Sequence, residues 1–100
     1  MTGVQTCALP ICPSGVVVAA SGDIWVADGH RGGNNRIVKF SRDGTFILEV
    51  GGGVGTESKE AARFSDPHDI KIDSTGRVLV ADRGNSRIQV FDQEGSLLYI

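Results

Sequence analysis

The 100-residue sequence has few aromatic residues and no extended apolar run. Aromatics make up 6% of the chain, with one Trp and one Tyr, and there is a single Met. No segment approaches the roughly 18 consecutive apolar residues that a membrane-spanning helix needs, so we expect no membrane span. The ten Lys and Arg residues are scattered and the formal net charge is −2. Because a basic patch is missing, we also expect no nucleic-acid partner.

Charged residues are absent from residues 1–12, MTGVQTCALPIC, which contain both cysteines of the chain. A secretory signal would need a positive segment before an apolar core. The spacing of Cys7 and Cys12 matches neither a CxxC redox motif nor half of a familiar zinc site. The segment instead resembles the in-frame translation of a common short-read sequencing adapter, with Cys12 at the junction. We therefore expect residues 1–12 to be artefactual and the native N-terminus to be missing. The compartment of the parent protein is left open, with secreted and periplasmic among the options.

The rest of the chain contains an internal repeat. Residues 13–50 align with residues 67–100, and the Val-Ala-Asp of 26–28 matches that of 80–82. After a three-residue insertion in the first copy, the Asn-x-Arg-Ile segments also match. A period near 50 residues is typical of a β-propeller blade, whereas an ordinary sandwich would not repeat its turns at the same offsets.

Each copy is predicted to form four short antiparallel strands. Runs rich in β-branched or aromatic residues are separated by glycine-containing turns such as Ser21-Gly22 and Asp43-Gly44. In the first copy these runs are Val16–Ala19, Ile24–Ala27, Ile37–Phe40 and Phe46–Val50. Outside the strands, Glu57–Phe64 is the one segment compatible with a short turn of helix. The predicted fold class is therefore all-β, with two four-stranded antiparallel blades.

The segment DRGNSRIQVF, residues 82–91, resembles the NHL repeat, with its Val-Ala-Asp second strand and Asn-x-Arg-Ile third strand. The resemblance implies one blade over 13–50, an inter-blade loop over 51–66 and a second blade over 67–100 that is truncated in its last strand. NHL propellers close with about six blades. The resemblance therefore implies that this chain is a propeller fragment, whose partners include the missing blades of the same chain.

Among NHL propellers, the segment is most similar to peptidyl-α-hydroxyglycine α-amidating lyases. These enzymes cleave a peptidyl-α-hydroxyglycine to a peptide amide and glyoxylate, with a zinc ion held by three His from different blades. Their Phe-x-x-Pro-His motif matches Phe64–His68, which implies His68 as a metal ligand. Their active-site Arg matches Arg83, and His30 stands where they carry an active-site Tyr, which implies catalytic roles for both. The resemblance thus implies zinc and a small peptide substrate for the parent protein, with no activity and no cofactor expected for the fragment alone.

Other interpretations of the same residues stay open. The parent protein can equally be a non-catalytic NHL scaffold that binds a protein or a glycan, because propellers host many functions. His68 can be a hydrogen-bonded residue lining the central channel, and His30 a solvated loop tip. Asp28 and Asp82 are interpreted as structural, each accepting loop N–H groups and pairing with the Arg that opens the next strand.

Overall fold

The computed structural model describes residues 13–29, 34–52 and 59–100. The adapter hypothesis and the prediction for His30 therefore lie outside the described residues. The strands are β1 (Pro13–Val18), β2 (Ile24–Asp28), β3 (Arg36–Phe40), β4 (Phe46–Gly51), β5 (Pro67–Ile72), β6 (Val78–Asp82), β7 (Arg87–Phe91) and β8 (Leu97–Tyr99). They form two antiparallel sheets in the orders β1-β2-β3-β4 and β5-β6-β7-β8, called blade 1 and blade 2 below. The predicted all-β fold of two four-stranded blades is confirmed.

The first strand of each blade begins earlier than the apolar pattern predicts. β1 starts at Pro13 rather than Val16, and Pro67 likewise opens β5. Each Pro pairs with the Asp at the end of the next strand, and the register shifts immediately after it. Pro is tolerated there because the first residue of a strand need not donate to the ladder. His68 therefore lies within β5, not before it.

The short helix considered for Glu57–Phe64 is not found in the described part of that segment, residues 59–64. The segment instead makes a single turn, in which Arg63 N donates to Glu60 O at 3.1 Å, and Ala62 has a φ of +60°, outside the helical range. Side chains of β7 bond to the backbone of this turn. The Gln89 amide accepts from Ala62 N at 2.9 Å and donates to Arg63 O at 2.7 Å, while Arg87 donates to Glu60 O at 2.7 Å. The sequence pattern instead missed a 3-10 turn at Arg83–Asn85.

One apolar core lies between the two blades. Because side chains alternate across a strand, each sheet offers one face to the other. Blade 1 contributes Trp25, Ala27 and Ile37, blade 2 contributes Ile70, Val78, Val80 and Phe91, and the connecting segment contributes Phe64. All eight are at most 1% exposed. At this burial each large side chain adds about 1.5–3 kcal/mol to folding, so the core is what joins the blades.

Polar bonds also cross between the blades. Ser14 Oγ donates to Pro67 O at 2.6 Å. At the far end of the strands, Trp25 Nε1 donates to Gln93 Oε1 at 3.0 Å and Lys39 Nζ donates to Gln93 O at 2.8 Å. Lys39 Nζ also lies 5.4 Å from the centroid of the Trp25 ring, within cation-π range. These contacts fix the register of the two sheets.

In blade 2, the β5–β6 and β7–β8 turns begin with the aspartates Asp73 and Asp92. In the β5–β6 turn, the Asp73 carboxylate accepts from the backbone N–H groups of Arg77 at 2.9 Å and Thr75 at 3.0 Å. Gly76 has a φ of +88°, a conformation that favours glycine. Bonds to the charged form, chiefly from the Arg77 N–H, hold the pKa of Asp73 well below its usual value.

The low pKa of Asp73 predicts a pH-dependent contribution to stability. Because the folded-state pKa lies below the unfolded value, the contribution of Asp73 to stability is fully present above the unfolded pKa, about 3.9. It is lost as pH falls through the folded pKa. We expect Asp73→Asn to be less stable than the wild type at pH 7, and the difference to shrink as pH drops below about 4. Urea unfolding at several pH values measures it. A difference that is constant with pH would contradict the assignment.

Among the described residues, no helix has the length and hydropathy required to span a bilayer.

Candidate functional site

Asp82, at the end of β6, is a fully buried carboxylate that organises the loop after it. Its Oδ1 accepts from Ser65 N at 2.7 Å. Its Oδ2 accepts from Asn85 Nδ2 at 2.9 Å and from Arg87 Nε at 2.8 Å. The loop carrying Arg83 is therefore held from both sides by one side chain.

Blade 1 repeats this arrangement at Asp28, which is also fully buried. Asp28 Oδ2 accepts from Asn34 Nδ2 and from Arg36 Nε, both at 2.8 Å. The interpretation of Asp28 and Asp82 as structural carboxylates paired with the following Arg matches this geometry. Because both copies contain this charge-assisted pair of a buried Asp and the following Arg, the pair is a structural element of the repeat and not a feature of one site.

The 3-10 turn places Arg83 at the rim of blade 2. Gly84 N donates to Ser65 O at 2.7 Å, and Ser86 N donates to Arg83 O at 3.0 Å. A Cβ added to Gly84 would lie 2.3 Å from Ser65 Oγ, so only glycine allows this close approach. The backbone of Arg83 is thus fixed while its side chain remains 63% exposed.

The side chains of His68 and Arg83 line one concavity of about 460 Å³ on blade 2. Its remaining lining residues are Asp69, Ala81, Ser86, Arg87 and Ile88. His68 reaches it from β5 and Arg83 from the loop after β6, so two of the three predicted site residues lie together. Ala81 and Ile88 are cross-strand neighbours and give the concavity an apolar floor. This combination of an apolar floor and a few polar groups is typical of a small-molecule site.

Arg83 has a neighbouring carboxylate that the sequence did not predict. Its Nη1 lies 3.6 Å from Asp66 Oδ2, a distance that allows an ion pair but is too long for a hydrogen bond. Asp66 has a φ of +53°, and its N–H donates to Asn35 Oδ1 at 2.9 Å. The Asp-Pro dipeptide of residues 66–67 signals a turn, but no pattern indicates which cation the turn would face.

The described ranges do not contain a complete metal site. Within residues 13–29, 34–52 and 59–100, no group of three or more His, Cys, Asp or Glu side chains is placed to hold a metal ion. The carboxylate nearest along the chain to His68, that of Asp69, has its Oδ1 on the backbone N–H of Ile70 at 2.8 Å. The concavity thus offers a metal at most the His68 imidazole and the Asp69 carboxylate, fewer than the three protein ligands of a catalytic zinc site.

Comparison with known proteins agrees with the repeat. The NHL repeat matches residues 11–40 and 64–91. Human NHL repeat-containing protein 3 is 49% identical over 82 residues, which are 82% of this chain and 22% of that protein. A probable peptidyl-alpha-hydroxyglycine alpha-amidating lyase of Caenorhabditis elegans is 39% identical, over 79% of the chain and 22% of its own length.

Peptidyl-glycine alpha-amidating monooxygenase A of Xenopus laevis is 37% identical over 74% of the chain and 8% of its own length. The chain therefore spans about a fifth or less of the length of these relatives. The two matched ranges cover β1–β3 of blade 1 and β5–β7 of blade 2, including the Asp-centred loop of each blade. On both sequence and fold, the chain belongs to the NHL-repeat family, as two adjacent blades of an NHL propeller.

Proposed function

We propose that this chain contributes part of the active site of an amidating lyase that converts a peptidyl-α-hydroxyglycine to a peptide amide and glyoxylate. The observation that carries the proposal is the concavity that His68 and Arg83 line together with the apolar residues Ala81 and Ile88. The similarity to the nematode lyase supports the choice of reaction.

Arg83 is proposed to bind the carboxylate of the substrate. Its guanidinium has five N–H donors in a rigid fork that matches a carboxylate. The carboxylate with which it forms an ion pair, that of Asp66, lies at 3.6 Å, a distance that leaves these donors able to make a shorter, bidentate contact.

The reaction itself is an elimination. The hydroxyl of the α-carbon loses its proton, a carbonyl forms, and the bond from that carbon to the amide nitrogen breaks. The nitrogen takes up a proton, so that glyoxylate and a peptide amide are released without any oxidant. The carboxylate persists from substrate to product, so Arg83 would hold the reacting carbon in place throughout.

His68 is proposed as one ligand of a zinc ion in the intact protein. When bound, zinc polarises a hydroxyl and lowers its pKa. The described residues supply one ligand, and the others would come from further parts of the protein. His68 lies in β5 at the register shift between Pro67 and Asp69, and the pairing of these two neighbours with β6 limits the positions its backbone can take. This would restrict the direction from which the imidazole approaches a metal.

Substitution of Arg83 tests the proposal in the full-length protein that carries these two blades. A hydrogen bond to a charged group contributes about 1.5–3 kcal/mol, so we expect Arg83→Ala to lower kcat/KM for glyoxylate release about 10- to 100-fold. Arg83→Lys should recover part of that loss, because it restores the charge without the fork.

Arg77→Ala is the matched control. Arg77 lies just before β6, at the opposite end of that strand from Arg83, and is similarly exposed. It should leave kcat/KM unchanged. Glyoxylate release that survives Arg83→Ala at full rate would remove Arg83 from the site, and a folded, zinc-loaded protein that releases none would exclude the lyase.

The second candidate is a binding scaffold without catalysis. The identity to NHL repeat-containing protein 3, 49%, exceeds the 39% to the nematode lyase, and the former name carries no activity. Under this proposal the same concavity would bind an acidic side chain or chain terminus of a protein, or a glycan, through Arg83. Binding without glyoxylate release, weakened by Arg83→Ala, would favour the scaffold.

A further inference from the structure

Asp66 is held in place at the junction of the two blades. Its N–H donates to Asn35 Oδ1 at 2.9 Å, and Asn35, which directly precedes β3 of blade 1, is only 2% exposed. The preceding residue, Ser65, donates its N–H to the Asp82 carboxylate and accepts from Gly84 N, both at 2.7 Å. The backbone of Asp66 is therefore fixed by contacts made within the two-blade unit.

The conformation of Asp66 is unusual for a residue with a side chain. Its φ of +53° lies in the left-handed region, which Asp and Asn tolerate better than most residues. Non-glycine residues held in this region occur often at ligand sites. Here the fixed left-handed backbone sets the direction of the side chain, which brings the Asp66 carboxylate to Arg83.

The charge of Asp66 is balanced by Arg83 and not by hydrogen bonds. Oδ2 of Asp66 lies 3.6 Å from Arg83 Nη1. Its Oδ1 is buried and accepts no hydrogen bond within the part of the chain that the structure describes. Burial without a donor leaves a carboxylate charge uncompensated. A ligand that approaches Arg83 therefore meets a neutral pair with a fixed negative charge beside the guanidinium.

We propose that Asp66 makes the Arg83 site selective for ligands that carry a single negative charge. The inference rests on the proposed function only through the binding of a carboxylate by Arg83. Repulsion between Asp66 and a ligand is proportional to the charge of the ligand. Dianions such as sulfate are thus disfavoured twice as strongly as a monocarboxylate, although the fork of Arg83 can bind both.

The same repulsion acts on the product of the proposed reaction. Substrate and glyoxylate share the carboxylate, so an arginine without a neighbouring anion would hold both more tightly. Tighter binding that is equal in the substrate and the transition state lowers KM without raising kcat. Asp66 would therefore favour release of glyoxylate, and its neutralisation should lower KM and leave kcat no higher.

Asp66→Asn tests the selectivity in the full-length protein that carries these two blades. The substitution keeps the shape of the side chain and suits the left-handed backbone, but it removes the charge. Isothermal titration calorimetry at constant ionic strength measures the binding of glyoxylate, a monoanion, and of sulfate, a dianion. We expect glyoxylate to bind about 3- to 10-fold more tightly, and sulfate about 10- to 100-fold, because the repulsion removed doubles with the ligand charge.

Glu94→Gln is the matched control for the change in net charge. Glu94 is exposed in the β7–β8 turn, at the opposite end of β7 from the loop that carries Arg83, so neither dissociation constant should change. Asp66→Gly is a second variant that lacks the carboxylate and tolerates the positive φ, and it should show the same selectivity as Asp66→Asn. In the Arg83→Ala background, Asp66→Asn should tighten neither anion.

The outcomes separate this inference from the proposed function. If Arg83→Ala weakens glyoxylate binding while Asp66→Asn and Asp66→Gly tighten both anions equally or weaken them, Asp66 only positions Arg83 and the inference alone is overturned. If Arg83→Ala binds glyoxylate as well as the wild type, Arg83 is not the carboxylate site, and both the inference and the proposed role of Arg83 are wrong.

Discussion

Replacing Asp82 with Ala is expected to lower the free energy of unfolding by about 3–5 kcal/mol, the cost of removing one partner from a buried ion pair. The carboxylate is fully buried and Arg87 Nε lies 2.8 Å from it. Without it, the backbone N–H of Ser65 and the side-chain amide of Gln89 also lose an acceptor. Unsatisfied buried donors add to the loss of the ion pair.

Asp82→Asn distinguishes charge from shape. It keeps one oxygen for Ser65 but turns an amide NH2 group toward the donors of Asn85 and Arg87, so we expect most of the loss to persist. Asp92→Ala is the matched control, because the Asp92 carboxylate accepts from two backbone N–H groups but is only half-buried, in the β7–β8 turn. It should cost about 1 kcal/mol.

Urea unfolding followed by Trp25 fluorescence measures these values. An Asp82→Ala loss no larger than that of Asp92→Ala would show that the buried network contributes little.

Phe64→Ala is expected to have a loss of similar size, about 3–5 kcal/mol, through the cavity it leaves. Phe64 lies before β5, is fully buried, and packs against Phe91 with ring centroids 5.8 Å apart. It also lies against Gly51, where an added Cβ would be 2.9 Å from the Phe64 ring. The ring therefore joins the end of blade 1 to the core of blade 2.

Two variants calibrate that loss. Phe64→Leu keeps most of the volume and should cost less than about 1.5 kcal/mol. Phe46→Ala removes the same ring from β4, where it is 55% exposed, and should cost about 1 kcal/mol or less. Equal losses for Phe64→Ala and Phe46→Ala in urea unfolding would contradict the central role of Phe64.

The fold was predictable because the information lies in local patterns that occur twice. Alternating apolar residues and glycine-containing turns indicate four strands, and the second copy excludes a chance pattern. The placement of Arg83 was predictable only as far as its position after Val-Ala-Asp, since the loop geometry depends on Ser65, 18 residues earlier in the sequence.

The environment of Arg83 could not be predicted from the sequence. The ion-pair partner of Arg83, Asp66, has a left-handed backbone conformation. Its N–H donates to Asn35, a residue of the other blade. Such contacts arise only when the blades pack, and neither composition nor spacing encodes them. The roles of His68 and Arg83 in catalysis, and of His30 outside the described residues, stay predictions.

The hydrogen bonds of the two blades also imply an order of events in folding. The partners of Asp82 in its own hairpin, Asn85, Arg87 and Gln89, lie only 3 to 7 residues away along the chain. The bond between Trp25 and Gln93 joins residues 68 apart. Because closing a long loop costs more chain entropy than closing a short one, the β6–β7 hairpin would form early and the docking of the blades late. The bonds that align the two sheets are then the last to be made, after each sheet has its own register.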